Sequence, residues 1–114
     1  MKKRNVRGFT LVEILIVVII LGILAAIVIP QFTNASEDAK KSSTQSTLQV
    51  IRGQIELYKI KNGDTPPTDL TKLVTDGYLP SYPVNPTTNA TADWSYTAST
   101  GVLKATKGGT DLGY

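Results

Sequence analysis

The pattern of apolar and polar positions divides the chain into an apolar first quarter and a mixed remainder. From Phe9 to Ile29, the run of apolar residues is interrupted only by Thr10, Glu13 and Gly22. As an α-helix, at about 1.5 Å per residue, this run would extend about 30 Å. That length matches the hydrocarbon core of a bilayer, which is about 30 Å thick. The first quarter of the chain therefore predicts a membrane-spanning helix.

Beyond Pro30 the pattern changes to that of an amphipathic helix. Apolar positions recur at spacings of three, four and three residues, which places them on one helical face: Leu48, Ile51, Ile55 and Tyr58. The helix should end at Gly63, because glycine readily takes the left-handed conformation of a helix C-terminus and Pro66 follows shortly. We expect one long helix over about residues 9–61, bent near Gly22 and Pro30.

A second, shorter helix is predicted after the two prolines. Thr68 can cap its N-terminus, and Gly77 can end it. Its apolar residues share one face, so we expect this face to pack on the long helix: Leu70, Leu73 and Val74.

The last part of the chain predicts a small antiparallel sheet. Trp94 and Tyr96 alternate with polar residues, Ser99–Gly101 can form a turn, and Val102–Ala105 can return as a partner strand. Gly108-Gly109 indicates a flexible end. We therefore predict an α+β fold with a sheet of two or three strands.

Basic residues are concentrated before the apolar run. Lys2, Lys3, Arg4 and Arg7 precede it with no acid among them, and without these four charges the net charge of +3 becomes −1. Positive charges on one flank orient that end of a membrane helix toward the cytoplasm, so the remainder should lie outside. The later basic residues are interspersed with acids and form no basic stripe, which argues against nucleic-acid binding.

The composition argues against catalysis and metal chemistry. The chain contains no cysteine and no histidine, which excludes disulfides, thiolate zinc sites and imidazole catalysis. Its aspartates stand singly near Gly, Pro or Thr, where turns and caps explain them, so we expect no enzyme activity and no cofactor. Oxygen ligands for calcium exist at Asp93 and Asp111, together with Asn85 and Asn89. Their spacing is not diagnostic, so no metal site is assigned.

The start of the chain carries a recognisable motif. A short basic leader ends at Gly8, an aromatic residue follows at Phe9, and the acid Glu13 interrupts an apolar run that continues as Gly22-Ile23-Leu24-Ala25-Ala26-Ile27-Val28-Ile29-Pro30-Gln31-Phe32. These residues resemble the class III signal and N-terminal helix of type IV pilins and pseudopilins, closest to the major pseudopilins of type II secretion systems. The resemblance implies a pilin fold with a leader over 1–8, a transmembrane and assembly helix over 9–30, an amphipathic half over 31–62 and a small globular region over 63–114.

The resemblance also implies roles for individual residues. A prepilin peptidase would cut between Gly8 and Phe9 and methylate the new Phe9 amine. Glu13 would pair with the Phe9 amine of a neighbouring subunit; the alternative is that Glu13 lies at the lipid headgroups near the helix end. Gly22 and Pro30 make a soft segment, which can unwind in related filaments; a static kink at Pro30 is the alternative.

Together these features predict a structural subunit of a filament at the bacterial inner membrane. The leading hypothesis is a type II secretion pseudopilin with a cytoplasmic N-terminus and a periplasmic or extracellular C-terminal region. Its partners would be further copies of itself, the prepilin peptidase, an inner-membrane assembly platform and minor pseudopilins. A type IV pilus subunit is the nearest alternative, because the N-terminal motif is shared.

Three alternatives come from other classes. A single-pass binding module would use the aromatic residues Trp94, Tyr96 and Tyr82 to recognise a ligand. A plain membrane anchor would need the apolar segment alone. A secretory signal peptide would leave Glu13 unexplained, and Leu24-Ala25-Ala26 is a poor cleavage site for one.

Overall fold

The computed structural model describes residues 7–114, which form two units divided at Ser36. Helix α1 covers Leu11–Lys61, so it includes residues of the first unit and of the second unit, Glu37–Tyr114. The second unit also contains the short helix α2, Leu70–Thr75, and three strands. The predicted α+β fold is therefore confirmed, and the leader residues 1–6 lie outside the described part of the chain.

Helix α1 ends where the sequence predicted. Gly63 takes a φ of +65°, and Asp64 follows in the same left-handed region at +63°. The amide of Asp64 donates to the carbonyl of Lys59 at 2.8 Å, which satisfies one of the last helical carbonyls. The helix begins at Leu11, slightly later than the predicted start at residue 9.

Helix α2 is capped by Asp69 and not by the predicted Thr68. The Asp69 carboxylate accepts from the amide of Lys72 at 2.9 Å, and its backbone is extended, as an N-cap requires. The helix therefore starts one residue later than predicted. The predicted end is confirmed: Gly77 has a φ of +82°, and the next amide, that of Tyr78, donates to the carbonyl of Leu73 at 2.8 Å.

The sheet has three antiparallel strands in the order β1-β2-β3. Strand β1 is Trp94–Thr97, β2 is Val102–Lys107 and β3 is Thr110–Asp111. In the register, Trp94 lies opposite Ala105 and Lys107 lies opposite Thr110. The prediction of a β1–β2 hairpin is confirmed.

The prediction of a flexible end at Gly108-Gly109 is wrong. Both glycines have positive φ, +57° and +85°, and they form a two-residue turn between β2 and β3. Two positive φ values in succession are typical of the type I′ turn, whose twist matches that of paired strands. Leu112 follows this turn, and its amide donates to the carbonyl of Ala105 at 2.9 Å.

The hydrophobic core of the second unit forms between α1, α2 and the sheet. The predicted face of α1 is buried, with Leu48, Ile51 and Ile55 each 1% exposed. The other members come from α2, the loop after it and the sheet: Leu70, Leu73, Leu79, Trp94, Leu103 and Ala105. The amphipathic pattern of the sequence therefore identified the side of α1 that packs on the rest of this unit.

A buried asparagine, Asn85, connects the elements of the second unit. Its side chain is fully buried and makes four hydrogen bonds. Its Oδ1 accepts from the amide of Thr87 at 3.0 Å and from the hydroxyl of Thr44 on α1 at 3.4 Å. Its Nδ2 donates to the carbonyls of Asp93 at 2.8 Å and Thr106 at 3.1 Å. One side chain thus joins α1, the loop and the sheet.

Candidate functional site

The junction predicted for cleavage lies before the first turn of α1. Gly8 and Phe9 are outside the helix, and both are exposed. Phe9 is 84% exposed, and no atom lies within 4 Å of the position that a Cβ on Gly8 would occupy. A protease needs to draw an extended backbone into its active site, and a glycine allows the closest approach. The junction is thus exposed on the described part of the chain, and cleavage there stays a prediction.

Glu13 caps the N-terminus of α1 together with Thr10, a role that the sequence analysis did not predict. The amide of Thr10 donates to Glu13 Oε2 at 3.3 Å, and the amide of Glu13 donates to Thr10 Oγ1 at 3.2 Å. This reciprocal pair is a capping box, for which Thr-x-x-Glu before an apolar run is the sequence signal. A carboxylate has about four acceptor sites on its two oxygens. Capping therefore leaves Glu13 able to accept from a cation as well.

The apolar segment of α1 makes no core within its own unit. Every side chain from Phe9 to Ile29 is exposed, with Leu11 at 87% and Ile29 at 64%. Within the described residues, α1 is the one helix long and apolar enough to cross a membrane. So much exposed apolar surface is costly in water. This segment therefore needs a bilayer or other helices around it.

Gly22 and Pro30 both lie within α1. Proline has no amide hydrogen, so the carbonyl of Ala26 lacks its usual helical donor. Nearby, the hydroxyl of Thr33 donates to the carbonyl of Ile29 at 3.1 Å, a side-chain bond that competes with the backbone ladder. The chain is helical on both sides of Pro30. Unwinding of this segment stays a prediction.

The two aspartates weighed for calcium are held by other partners. Asp111 Oδ2 accepts from Lys104 Nζ at 2.7 Å, and its Oδ1 accepts from the amide of Gly113 at 2.9 Å. The hydrogen bond from Lys104, and then that from Gly113, lowers the pKa of Asp111 below its ordinary value. Asp93 Oδ1 accepts from the amide of Gly108 at 3.3 Å.

The asparagines weighed with them do not complete a calcium site. The side-chain amide of Asn85 is buried and already hydrogen-bonded within the unit. Asn89 lies exposed at a turn, with a φ of +61°. Among residues 7–114, no three acidic, histidine or cysteine side chains are grouped closely enough to hold a metal ion. The structure therefore does not bring Asp93, Asp111, Asn85 and Asn89 together as a set of free oxygen ligands.

Two of the three aromatic residues weighed for ligand binding belong to the core. Trp94 is 9% exposed, and its Nε1 donates to the carbonyl of Pro83 at 3.0 Å. Tyr96 is half-buried, and its hydroxyl donates to the carbonyl of Pro67 at 2.7 Å. Only Tyr82 is exposed, at 39%. The arrangement does not favour a binding module built on these aromatics.

Comparison with known proteins identifies relatives of this chain. Residues 3–29 match the family described as the prokaryotic N-terminal methylation motif. Type II secretion system core protein G of Pseudomonas aeruginosa is 38% identical over 101 residues, which cover 75% of this chain and 71% of that protein. Core protein G of Dickeya chrysanthemi is 38% identical over 85 residues, covering 73% and 56%. Core protein G of Vibrio cholerae is 38% identical over 76 residues, covering 65% and 52%. No solved structure matches the chain.

Proposed function

The chain belongs to the family of type II secretion system core protein G and is a pseudopilin. We propose that its copies polymerise into a periplasmic filament that helps move proteins across the outer membrane. The observation that carries this proposal is an N-terminal methylation motif over residues 3–29, which includes an apolar stretch of α1 in which every side chain is exposed. The names of the relatives favour secretion over the alternative of a type IV pilus.

The first step of the proposed pathway is processing of the leader. A prepilin peptidase cuts between Gly8 and Phe9 and methylates the new amine of Phe9. The exposed junction and the space around Gly8 support this step. The cut separates the basic leader from the apolar helix, so the product keeps its anchor and gains a positively charged terminus at the start of that helix.

The second step is assembly through the N-terminal half of α1. Glu13 of one copy pairs with the Phe9 amine of another, while the apolar side chains of neighbouring helices pack together. At about 4 Å and an effective dielectric constant of about 20, opposite charges attract by about 4 kcal/mol before desolvation. An unpaired charge near a bilayer core is costly. Pairing therefore favours one axial step between helices, and the segment from Gly22 to Pro30 adjusts by local unwinding.

The proposed location and partners follow from the same features. The chain is anchored in a membrane, which we place at the bacterial inner membrane with the N-terminus in the cytoplasm and the C-terminal unit in the periplasm. The anchoring and assembly helix then covers 9–30, its amphipathic half 31–62 and the globular region 63–114. An inner-membrane assembly platform and minor pseudopilins are the partners that assembly requires.

A fragment that begins at Phe32 is expected to be soluble and monomeric. It retains the core of the second unit and lacks the exposed apolar segment, which is the proposed assembly element. Sedimentation of this fragment, beside electron microscopy of the processed full-length chain, tests the proposal. We expect a monomer from the fragment and filaments from the full-length chain. Filaments formed by the fragment alone would show that assembly does not require the N-terminal half of α1.

A further inference from the structure

The second unit carries an apolar stripe that its own core does not use. On α1, apolar residues and a glycine recur at spacings of three, four and three residues, and we call this the outer stripe: Val50, Gly53, Leu57 and Ile60. At about 100° per residue, these positions lie on the side of the helix opposite the buried face. Val50 is 59% exposed, Leu57 39% and Ile60 78%. Helix α1 is thus apolar on two opposite sides, and only one of them is covered.

Gly53 gives the outer stripe a depression. No atom lies within 4 Å of the position that a Cβ would occupy there. Val50 and Leu57 lie one turn away on either side and form its walls. A glycine inside a helix is unfavourable compared with alanine. Here it leaves room for a side chain that comes from outside the unit.

A second exposed apolar patch of this unit is a proline-rich loop. We call residues 80–86 the proline loop; Tyr82 is 39% exposed and Val84 45%. Proline fixes φ, so the three prolines of this segment restrict its conformations before any partner binds. The loop is also anchored, because the indole of Trp94 donates to the carbonyl of Pro83 at 3.0 Å. It therefore presents Tyr82 and Val84 on a rigid support.

We propose that the outer stripe of one copy binds the proline loop of the next copy in the filament. Neither surface contains a charged residue, so no ion has to be desolvated when they meet. The two surfaces are different patches of one molecule. Contact between different patches is heterologous, and it produces a helical polymer in place of a dimer where the rotation between successive copies does not close a ring. This inference rests on the proposed function as a filament subunit.

The two patches are small, so they can bind each other only when the N-terminal helices already hold the two copies next to each other. Stable interfaces bury about 800 Å² on each partner. Three exposed aliphatic side chains on one patch, and one tyrosine and one valine on the other, offer much less. The contact is therefore too small to hold two free units together. It forms when the N-terminal helices keep neighbouring copies side by side, since tethering raises the effective concentration.

Cysteine cross-linking in the full-length chain tests this contact, because the chain has no native cysteine. The variant Leu57→Cys with Tyr82→Cys places one thiol on each patch. A disulfide needs Cβ atoms about 4 Å apart, so it reports close contact. We expect oxidation of assembled membranes to give a ladder of oligomers from the double variant and monomers from each single variant. A second pair, Val50→Cys with Val84→Cys, tests the same contact in case Leu57→Cys or Tyr82→Cys itself disrupts it.

A matched control pairs Leu57→Cys with Ser99→Cys, an exposed turn position away from the proline loop. This pair should give no ladder beyond the level of the single variants. Dimers from Leu57→Cys alone would mean that stripe meets stripe and would overturn the proposed contact. Filaments that form without cross-links in either test pair would overturn it as well, while the proposed function would stand. Absence of filaments from the unsubstituted chain would instead refute the proposed function, and this contact with it.

Discussion

Filament formation is expected to fall by at least about tenfold when Glu13 is replaced by Ala, while insertion into the membrane is unchanged. A net loss of about 1.4 kcal/mol at each subunit contact already corresponds to a tenfold change in its equilibrium constant. The proposed Glu13–Phe9 attraction exceeds this before desolvation. Removing an acid makes the helix more apolar, so insertion does not suffer. The measurement is the filament yield from membranes that contain equal amounts of processed protein.

Two further variants separate charge pairing from helix capping. Thr10→Ala removes the reciprocal half of the capping box, in which Thr10 and Glu13 exchange hydrogen bonds at 3.2 and 3.3 Å. Glu13→Gln keeps an oxygen that can cap the helix but loses the charge. We expect Thr10→Ala to assemble and Glu13→Gln to fail. If instead Thr10→Ala fails and Glu13→Gln assembles, capping is the important role of Glu13, and the pairing with Phe9 is refuted.

Replacing Asn85 by Ala is expected to destabilise the C-terminal unit by about 3 kcal/mol or more. The substitution removes four hydrogen bonds and leaves buried donors and acceptors, among them the carbonyls of Asp93 and Thr106, without a partner. An unsatisfied buried polar group costs about 1–3 kcal/mol. Urea unfolding of the fragment that begins at Phe32 measures the change in the free energy of unfolding.

Two control variants make this result specific. Thr91→Ala changes an exposed residue of the same loop and should alter the free energy of unfolding by less than about 0.5 kcal/mol. Asn85→Asp keeps one acceptor oxygen but turns the other toward two carbonyl oxygens, so it should be at least as harmful as Asn85→Ala at neutral pH. A loss of less than about 1 kcal/mol in Asn85→Ala would mean that water replaces the side chain, and that Asn85 does not hold the unit together.

Local periodicity explains why α1 was predictable. The buried face of α1 follows directly from the spacing of Leu48, Ile51 and Ile55, because helical neighbours are close in the sequence. Its end at Gly63 likewise depends on a single residue and its backbone. The N-terminal motif is also contiguous, so its resemblance to pseudopilins could be recognised without any knowledge of the fold.

Contacts between distant residues explain what the sequence reading missed. Asn85 bonds to residues 8, 21 and 41 positions away, and no local pattern reveals that these groups meet. Strand β3 is only Thr110–Asp111, too short to show alternation, so the sequence pattern after Gly108-Gly109 does not predict a strand or the turn that leads to it. The capping box differs, since Thr10 and Glu13 are close in the sequence. Its sequence signal, Thr-x-x-Glu before an apolar run, is local and sufficient to predict it.

Assembly through a processed N-terminal helix is tested most directly by mass spectrometry of the N-terminal peptide of the protein isolated in filaments from the bacterium that encodes it. We predict a chain that begins at Phe9 with a methylated amine, because the leader is removed at Gly8-Phe9 and the apolar helix stays in the assembled subunit. An intact Met1 in the filaments would show that assembly does not require this processing. A chain that begins beyond Ala26 would show that the apolar segment is a discarded secretory signal, and it would contradict assembly through α1.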